Sequence, residues 1–209
     1  MMMINKIDGN EWVPNCYIIH NNSDAIIIDP GCDYKLIQDK LSHYELKAIV
    51  VTHGHYDHIL NVARLQHDYN VKFYLHHGDN KLIKHANFYL KLFHGEKNIE
   101  IPVVNELIND HELLDFGFVK LKVIHTPGHT EGSVCYLVEN NLFTGDLLMR
   151  NTIGRTDLPG GNYEKLSRSL KKITDTFEDI NILPGHFENT TLGQEKLYNR
   201  KLIDIIINE

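Results

Sequence analysis

The chain has 209 residues, of which 42% are hydrophobic and 23% charged, with a formal net charge of −7. That length supports one sizeable core, and an acidic balance with scattered Lys and Arg excludes a broad nucleic-acid footprint, which needs clustered cations to displace counterions. No apolar run is long enough to span a bilayer and Met1 to Asp8 lacks a signal-peptide core, so the expectation is a cytoplasmic protein with no membrane partner.

In chain order, Cys16 to His20 and Ala25 to Asp29 read as strands joined at Asn21-Asn22-Ser23-Asp24, a hairpin ended by Asp29-Pro30-Gly31. A helix follows over Tyr34 to Tyr44, with Leu36, Ile37 and Leu41 as its apolar positions. Lys47 to Val51 is a strand. Directly after it, Thr52-His53-Gly54-His55-Tyr56-Asp57-His58 puts three histidines and an aspartate into one turn, before a helix from Ile59 to about Tyr69. Imidazole nitrogen and carboxylate oxygen suit zinc, iron or manganese, and too many ligands for one tetrahedral ion point to two ions side by side. Val71 to Leu75 reads as strand, and Gly78 to about His94 as helix, because Leu82, Ile83, Ala86, Leu90 and Phe93 recur near helical spacing.

The second half resumes with strands at Phe118 to His125, Val134 to Val138 and Asn141 to Thr144, the last two joined by a tight turn for which Asn140-Asn141 can supply positive φ. A helix from about Tyr163 to Ile173, a strand at Ile180 to Leu183 and a closing helix from Leu192 to Ile207 follow. Lys165, Arg168, Lys171 and Lys172 read as the solvated face of the first of these helices. Three further turns carry ligand-type residues: Thr126-Pro127-Gly128-His129-Thr130-Glu131-Gly132-Ser133, Phe143-Thr144-Gly145-Asp146 and Leu183-Pro184-Gly185-His186. Cys16, Cys32 and Cys135 are odd in number and lie in apolar segments or turns, so buried free thiols are expected. No linker or repeat is visible, which makes residues 1–209 a single domain.

The order H-x-H-x-D-H, G-H-T-x-G-S, G-D, P-G-H resembles the metallo-β-lactamase superfamily over nearly the whole chain. The resemblance implies an α/β fold, a four-layer αβ/βα sandwich with metals along one edge. It implies a first metal on His53, His55 and His129, a second on Asp57, His58 and His186, and Asp146 bridging the two. A carboxylate can span ions about 3.5–4 Å apart, whereas imidazole cannot. The cofactor reading is two divalent ions, zinc foremost, with iron or manganese as alternatives. Asp57 doubles as the catalytic residue that orients a metal-bridging hydroxide. Asp29 either caps the Pro30-Gly31 turn or, as the resemblance implies, orients a ligand histidine. The other nine of the 14 histidines are expected in surface or structural roles, His125 with a supporting bond to the site as its alternative.

Within the superfamily, residues 151–161, Asn-Thr-Ile-Gly-Arg-Thr-Asp-Leu-Pro-Gly-Gly, resemble short glyoxalase II-like (hydroxyacylglutathione hydrolase-like) proteins. That implies hydrolysis of a small-molecule thioester of the S-lactoylglutathione type, by a chain with no separate C-terminal glutathione-binding domain. Arg155 is placed either on an anionic substrate or in a salt bridge with Asp157. The rival reading is a persulfide dioxygenase with a single iron on His53, His129 and Asp146. Gly185, where those enzymes tend to have alanine, favours hydrolysis.

Overall fold

Isoleucine and valine runs buried on both faces build the first of two sheets, and the parity of their side chains decides what each face meets. The computed structural model describes residues 1–10, 12–95 and 98–207, with the His94 side chain outside the described residues. In chain order the first half comprises β1 (Met3–Ile7), β2 (Cys16–His20), β3 (Asp24–Ile28), α1 (Tyr34–Leu41), β4 (Glu45–Val50), α2 (Val62–Tyr69) and β5 (Lys72–His76). A 3-10 turn (His77–Asp79), α3 (Asn80–Lys84), α4 (Ala86–His94) and β6 (Glu106–Ile108) complete it. The six strands pair in chain order, β1 to β3 antiparallel and β3 to β6 parallel.

The second half comprises β7 (Leu113–Asp115), β8 (Lys120–His125), β9 (Val134–Val138), β10 (Asn141–Gly145), β11 (Leu148–Met149), β12 (Thr152–Ile153) and α5 (Tyr163–Thr176). It ends with β13 (Asn181–Pro184), β14 (Thr190–Thr191), α6 (Leu192–Tyr198) and α7 (Arg200–Ile207). Its sheet runs β14-β13-β10-β9-β8-β7, while β11 and β12 form a separate ribbon.

Successive residues of a strand face opposite ways, and that alternation sorts the core into three layers. Between the sheets, Tyr17, Ile19, Ile26, Ile28, Ala48 and Val50 meet Leu121, Val123, Tyr136 and Phe143. On the outer face of the first sheet, Ile18, Ile27 and Ile49 pack with Ile37 and Leu41 of α1 and Val62 and Leu65 of α2. Across the second sheet, Ile124, Cys135, Leu142 and Ile182 pack with Leu166, Leu170 and Ile173 of α5 and with Leu202 and Ile205 of α7. The result is the four-layer αβ/βα sandwich that the resemblance implies.

Several boundaries differ from expectation, each for a local reason. The helix after the histidine turn starts at Val62 rather than Ile59, because residues 56–61 are wound as turns and Asn61 Nδ2 donates to the carbonyls of Pro30 (2.9 Å) and Cys32 (2.7 Å). The helix expected over 78–94 breaks at His85, whose backbone (φ −103, ψ 7) leaves the helical range while its Nδ1 lies 2.9 Å from the Lys81 carbonyl. The closing helix breaks at buried Asn199. There Oδ1 accepts from Leu202 N (3.2 Å), capping α7, while Nδ2 donates to Thr152 O (3.0 Å). In the β9–β10 turn the positive φ falls on Glu139 (φ 51) rather than on either asparagine. The three cysteines are free and buried, as expected.

Candidate metal centre

The ligand turns gather at the edge where the ends of β4, β8, β10 and β13 meet. Rigid strands fix where each turn begins, and hydrogen bonds fix how it continues. After β4, the Asp29 carboxylate accepts from Thr52 N (2.7 Å) and Thr52 Oγ1 (2.7 Å), which starts the histidine turn in one direction only. Two residues on, Gly54 N donates to Asp79 Oδ2 (2.7 Å).

The seven predicted ligand residues come together in three overlapping groups, of which His53, His58 and Asp146 link the other two. His53, His55 and His129 form one trio, and Asp57, His58 and His186 another, with the candidate ligand atoms of each within 4.8 Å of one another. His53 Nε2 and His129 Nε2 lie 3.0 and 2.9 Å from His55 Nδ1, so three imidazoles aim at a shared point. Asp146 sits between the trios, Oδ2 being 3.4 Å from His129 Nε2 and 3.7 Å from His186 Nε2, while Oδ1 is 3.6 Å from His58 Nε2. The five histidines are buried.

The outward ring nitrogens are held. His129 Nδ1 lies 2.8 Å from the Arg155 carbonyl and His186 Nδ1 2.8 Å from the Asn10 carbonyl. A carbonyl only accepts, so each of these Nδ1 atoms carries the proton and leaves Nε2 with a lone pair for an ion. His53 Nδ1 lies 3.1 Å from Thr52 Oγ1, whose own hydrogen points at Asp29. Asp29 Oδ2 is 3.0 Å from His58 Nδ1, close enough for an ion pair though not aligned as a hydrogen bond. The Asp29 carboxylate thus touches the histidine turn at three places, while the Gly31 turn bond comes from its backbone carbonyl instead.

Charge in the cluster is arranged for cations. Burial, reinforced by neighbouring imidazoles, holds His53 well below the ordinary value and pushes His55 down to about 3, so both are neutral donors at neutral pH. At His58 burial pulls the same way, but Asp29, Asp57 and Asp146 together outweigh it and lift the imidazole to about 10. Burial raises Asp57 and Asp146, yet the facing histidines overcome it and hold both carboxyls below the usual range. Among the described residues, the buried atoms His58 Nε2 and Asp146 Oδ1 have no hydrogen-bond partner. Two orphaned polar atoms aimed into a cluster of N and O donors fit a pair of metal ions, since burial without a partner costs each group on the order of 1–3 kcal/mol. The cluster is suited to a dimetal site.

Two residues that the motifs did not single out support the centre. Asp79, buried at the end of the 3-10 turn, accepts from Gly54 N, from Thr130 Oγ1 (2.7 Å) and from Gly132 N (2.8 Å). It ties the turn bearing His53 and His55 to the one bearing His129. Asn15 receives the Gly9 N–H and donates to the carbonyls of Pro184 and Phe187 on either side of His186. Both are lone polar residues with no ligand-type spacing, and only their burial marks them. Arg155 makes a two-pronged pair with Asp157, at 2.7 Å through both Nε and Nη2, and it lines the cleft over the centre. His125 stacks on His76 at 4.1 Å between ring centroids and its Nε2 meets the Glu131 carbonyl, a structural placement.

The cleft has a volume of about 680 Å³ and exposes His55, Asp57, His129, Asp146 and His186 on its floor. Residues 9–186 match the model of the metallo-beta-lactamase superfamily. The chain is 31% identical to the hydroxyacylglutathione hydrolase GloC of Haemophilus influenzae, over 95% of this chain and 97% of that protein. Its fold superposes on the crystal structure of the BLEG-1 B3 metallo-beta-lactamase with a TM-score of 0.88 at 33% identity, covering 96% and 99% of the two chains. It also superposes on TTHA1623, solved in a di-iron-bound form, with a TM-score of 0.85 at 29% identity, covering 94% and 99%.

Proposed function

Because the chain belongs to the metallo-beta-lactamase superfamily, whose members are generally metal-dependent hydrolases, we propose that it hydrolyses a small-molecule thioester such as S-lactoylglutathione in the cytoplasm. The observation that carries this reading is the pair of ligand trios with the Asp146 carboxylate between them. The likeness to GloC supports the thioester class.

In this reading His53, His55 and His129 hold one ion, Asp57, His58 and His186 hold the other, and Asp146 is shared. Two bound divalent ions, zinc foremost with iron or manganese as alternatives, would supply a hydroxide at neutral pH and accept the charge of a tetrahedral oxyanion. Asp57 stays ionised and faces the cleft, so one of its oxygens can take a hydrogen bond from the attacking water and orient it toward the acyl carbon. The oxygen of the water bonds to the acyl carbon, the C–S bond breaks, and the sulfur departs as a thiolate that needs no dedicated acid, while the two protons of the water pass to solvent and the acyl group leaves as a carboxylate. Asp29 holds the His58 ring, and the carbonyls of Arg155 and Asn10 hold His129 and His186. Arg155, already committed to Asp157, shapes the rim beside an anionic group of the substrate.

Gly185 favours the two-metal reading over a single-iron persulfide dioxygenase. A Cβ at that position would lie 2.3 Å from Asp146 Oδ1 and 2.9 Å from His58 Cε1, so only glycine leaves the shared carboxylate where it is. The test is metal content per chain on protein purified without added metal, read together with S-lactoylglutathione hydrolysis and oxygen uptake on glutathione persulfide. Two metals with thioester turnover are expected; one iron with persulfide-dependent oxygen uptake overturns the reading.

A further inference from the structure

The cleft above the centre is lined by side chains of two unlike kinds, aromatic rings and cations. Beside the trio that includes His186 stand aromatic rings: Phe187 follows His186 directly, and Trp12 lies two residues from Asn10, whose carbonyl holds the His186 ring. Both rings are exposed, Trp12 at 70% and Phe187 at 42%, and Phe93 of α4 adds a third at 48%. Large exposed aromatics lining one concave surface leave an apolar patch that a ligand would cover.

The cations of the cleft are Arg155, whose carbonyl holds the His129 ring, and Lys201. Arg155 is neutralised by its two-pronged pair with Asp157. Lys201, presented by the first turn of α7, donates to Thr152 Oγ1 (3.2 Å) and makes no ion pair among the described residues. In a chain of net charge −7 it is a cation facing the cleft, and the carboxylates that share its surroundings, Asp157 and Asp204, form no described ion pair with it.

We infer that the cleft selects thioesters that are amphipathic along their length, with an aryl or branched-alkyl acyl group against Trp12, Phe93 and Phe187 and an anionic group reaching Lys201. The inference rests on the thioesterase reading and sharpens it, because a small polar acyl such as lactoyl has no apolar surface to set against these rings. A phenyl ring set against these side chains strengthens binding roughly tenfold. The lysine contact at an exposed rim contributes roughly three- to fivefold and weakens as salt rises.

Non-hydrolysable thioethers separate the two claims. The probes are S-benzylglutathione, S-methylglutathione, which lacks the ring, and S-benzyl-N-acetylcysteamine, which lacks the anion; their Kd values are measured by calorimetry on metal-loaded protein. S-Benzylglutathione is expected to bind tightest. Lys201→Gln should abolish its advantage over the cysteamine thioether alone, and Trp12→Ala or Phe93→Ala its advantage over S-methylglutathione alone. Three equal Kd values, or preferences unchanged in the variants, overturn the inference. Hydrolysis of S-lactoylglutathione and S-mandeloylglutathione, followed in parallel, reports on the thioesterase reading by itself. Turnover of both with flat probe affinities sinks the selectivity and leaves the chemistry standing; selective binding without turnover does the reverse.

Discussion

His58 sits at the junction of everything that holds the centre. One ring nitrogen lies beside Asp29, and the other points without a hydrogen bond at Asp57 (3.7 Å) and Asp146 (3.6 Å). Replacing His58 or Asp57 by alanine should remove the second ion and lower kcat at least about a hundredfold, with the far-ultraviolet circular dichroism unchanged. Asp29→Ala leaves every ligand in place, so its expected signature is narrower: metal affinity down roughly 10- to 100-fold by competition with a chromophoric chelator. Gly185→Ala should push Asp146 aside and reduce bound metal from two ions to one per chain, measured by elemental analysis. The metal-free protein carries a pH dependence of its own. Three carboxylates raise His58 from 6.5 to about 10, so its protonated form favours the native state. That contribution is complete below pH 6.5 and is lost as pH climbs through about 10, so urea midpoints should fall across this window and flatten once metal displaces the proton. A midpoint indifferent to pH between 7 and 10 would mean that the carboxylates do not charge this ring.

At the scale of elements, the centre depends on turns being clasped to each other rather than on the strands alone. Asp79 receives two backbone N–H groups and a hydroxyl from the two turns that carry the first trio. Asp79→Ala orphans all three donors and should destabilise the fold by about 3 kcal/mol or more, while weakening the His53, His55 and His129 site ahead of its neighbour. Equal loss at both sites in a metal titration would assign Asp79 to general stability only. This clasp also marks where sequence reading stops. The ligands were legible because histidines and aspartates crowded at short spacing inside turns serve few purposes besides holding a cation. Asp79 and Asn15 carry no spacing, and their role depends on partners distant in the chain, Thr130 and Gly132 for Asp79 and Pro184 and Phe187 for Asn15. The same holds for secondary structure: β3, β4 and the inter-sheet core follow from continuous apolar runs. In contrast β11, β12 and β14 are two residues each, too short for any periodicity, and polar Asn5 and Lys6 hide the edge strand β1. The helix breaks at His85 and Asn199 arise from side-chain bonds to distant or preceding carbonyls, which composition does not reveal.

For the whole molecule, metal and fold are linked by mass action. Ions that bind the native state alone stabilise it by RT ln(1 + [M]/Kd), about 4 kcal/mol at a free concentration a thousandfold above Kd. Chelation should therefore lower the thermal midpoint, and re-addition of zinc should restore it along with activity. An unchanged midpoint would mean that the trios do not take up ions under those conditions.

The first sheet draws only on residues up to Ile108 and the second only on residues from Leu113 onward. Each trio takes two ligands from the first half and one from the second: His53 and His55 with His129, Asp57 and His58 with His186. An ion in either place is therefore a rivet between two separately hydrogen-bonded layers. A chain cut in the short connection at 109–112 should yield two fragments whose reassembly is governed by metal concentration, which would turn the protein into a split reporter for free zinc. During synthesis the same geometry completes the first trio once His129 has left the ribosome and the second only after His186, so capture of the second ion should be among the last events of folding.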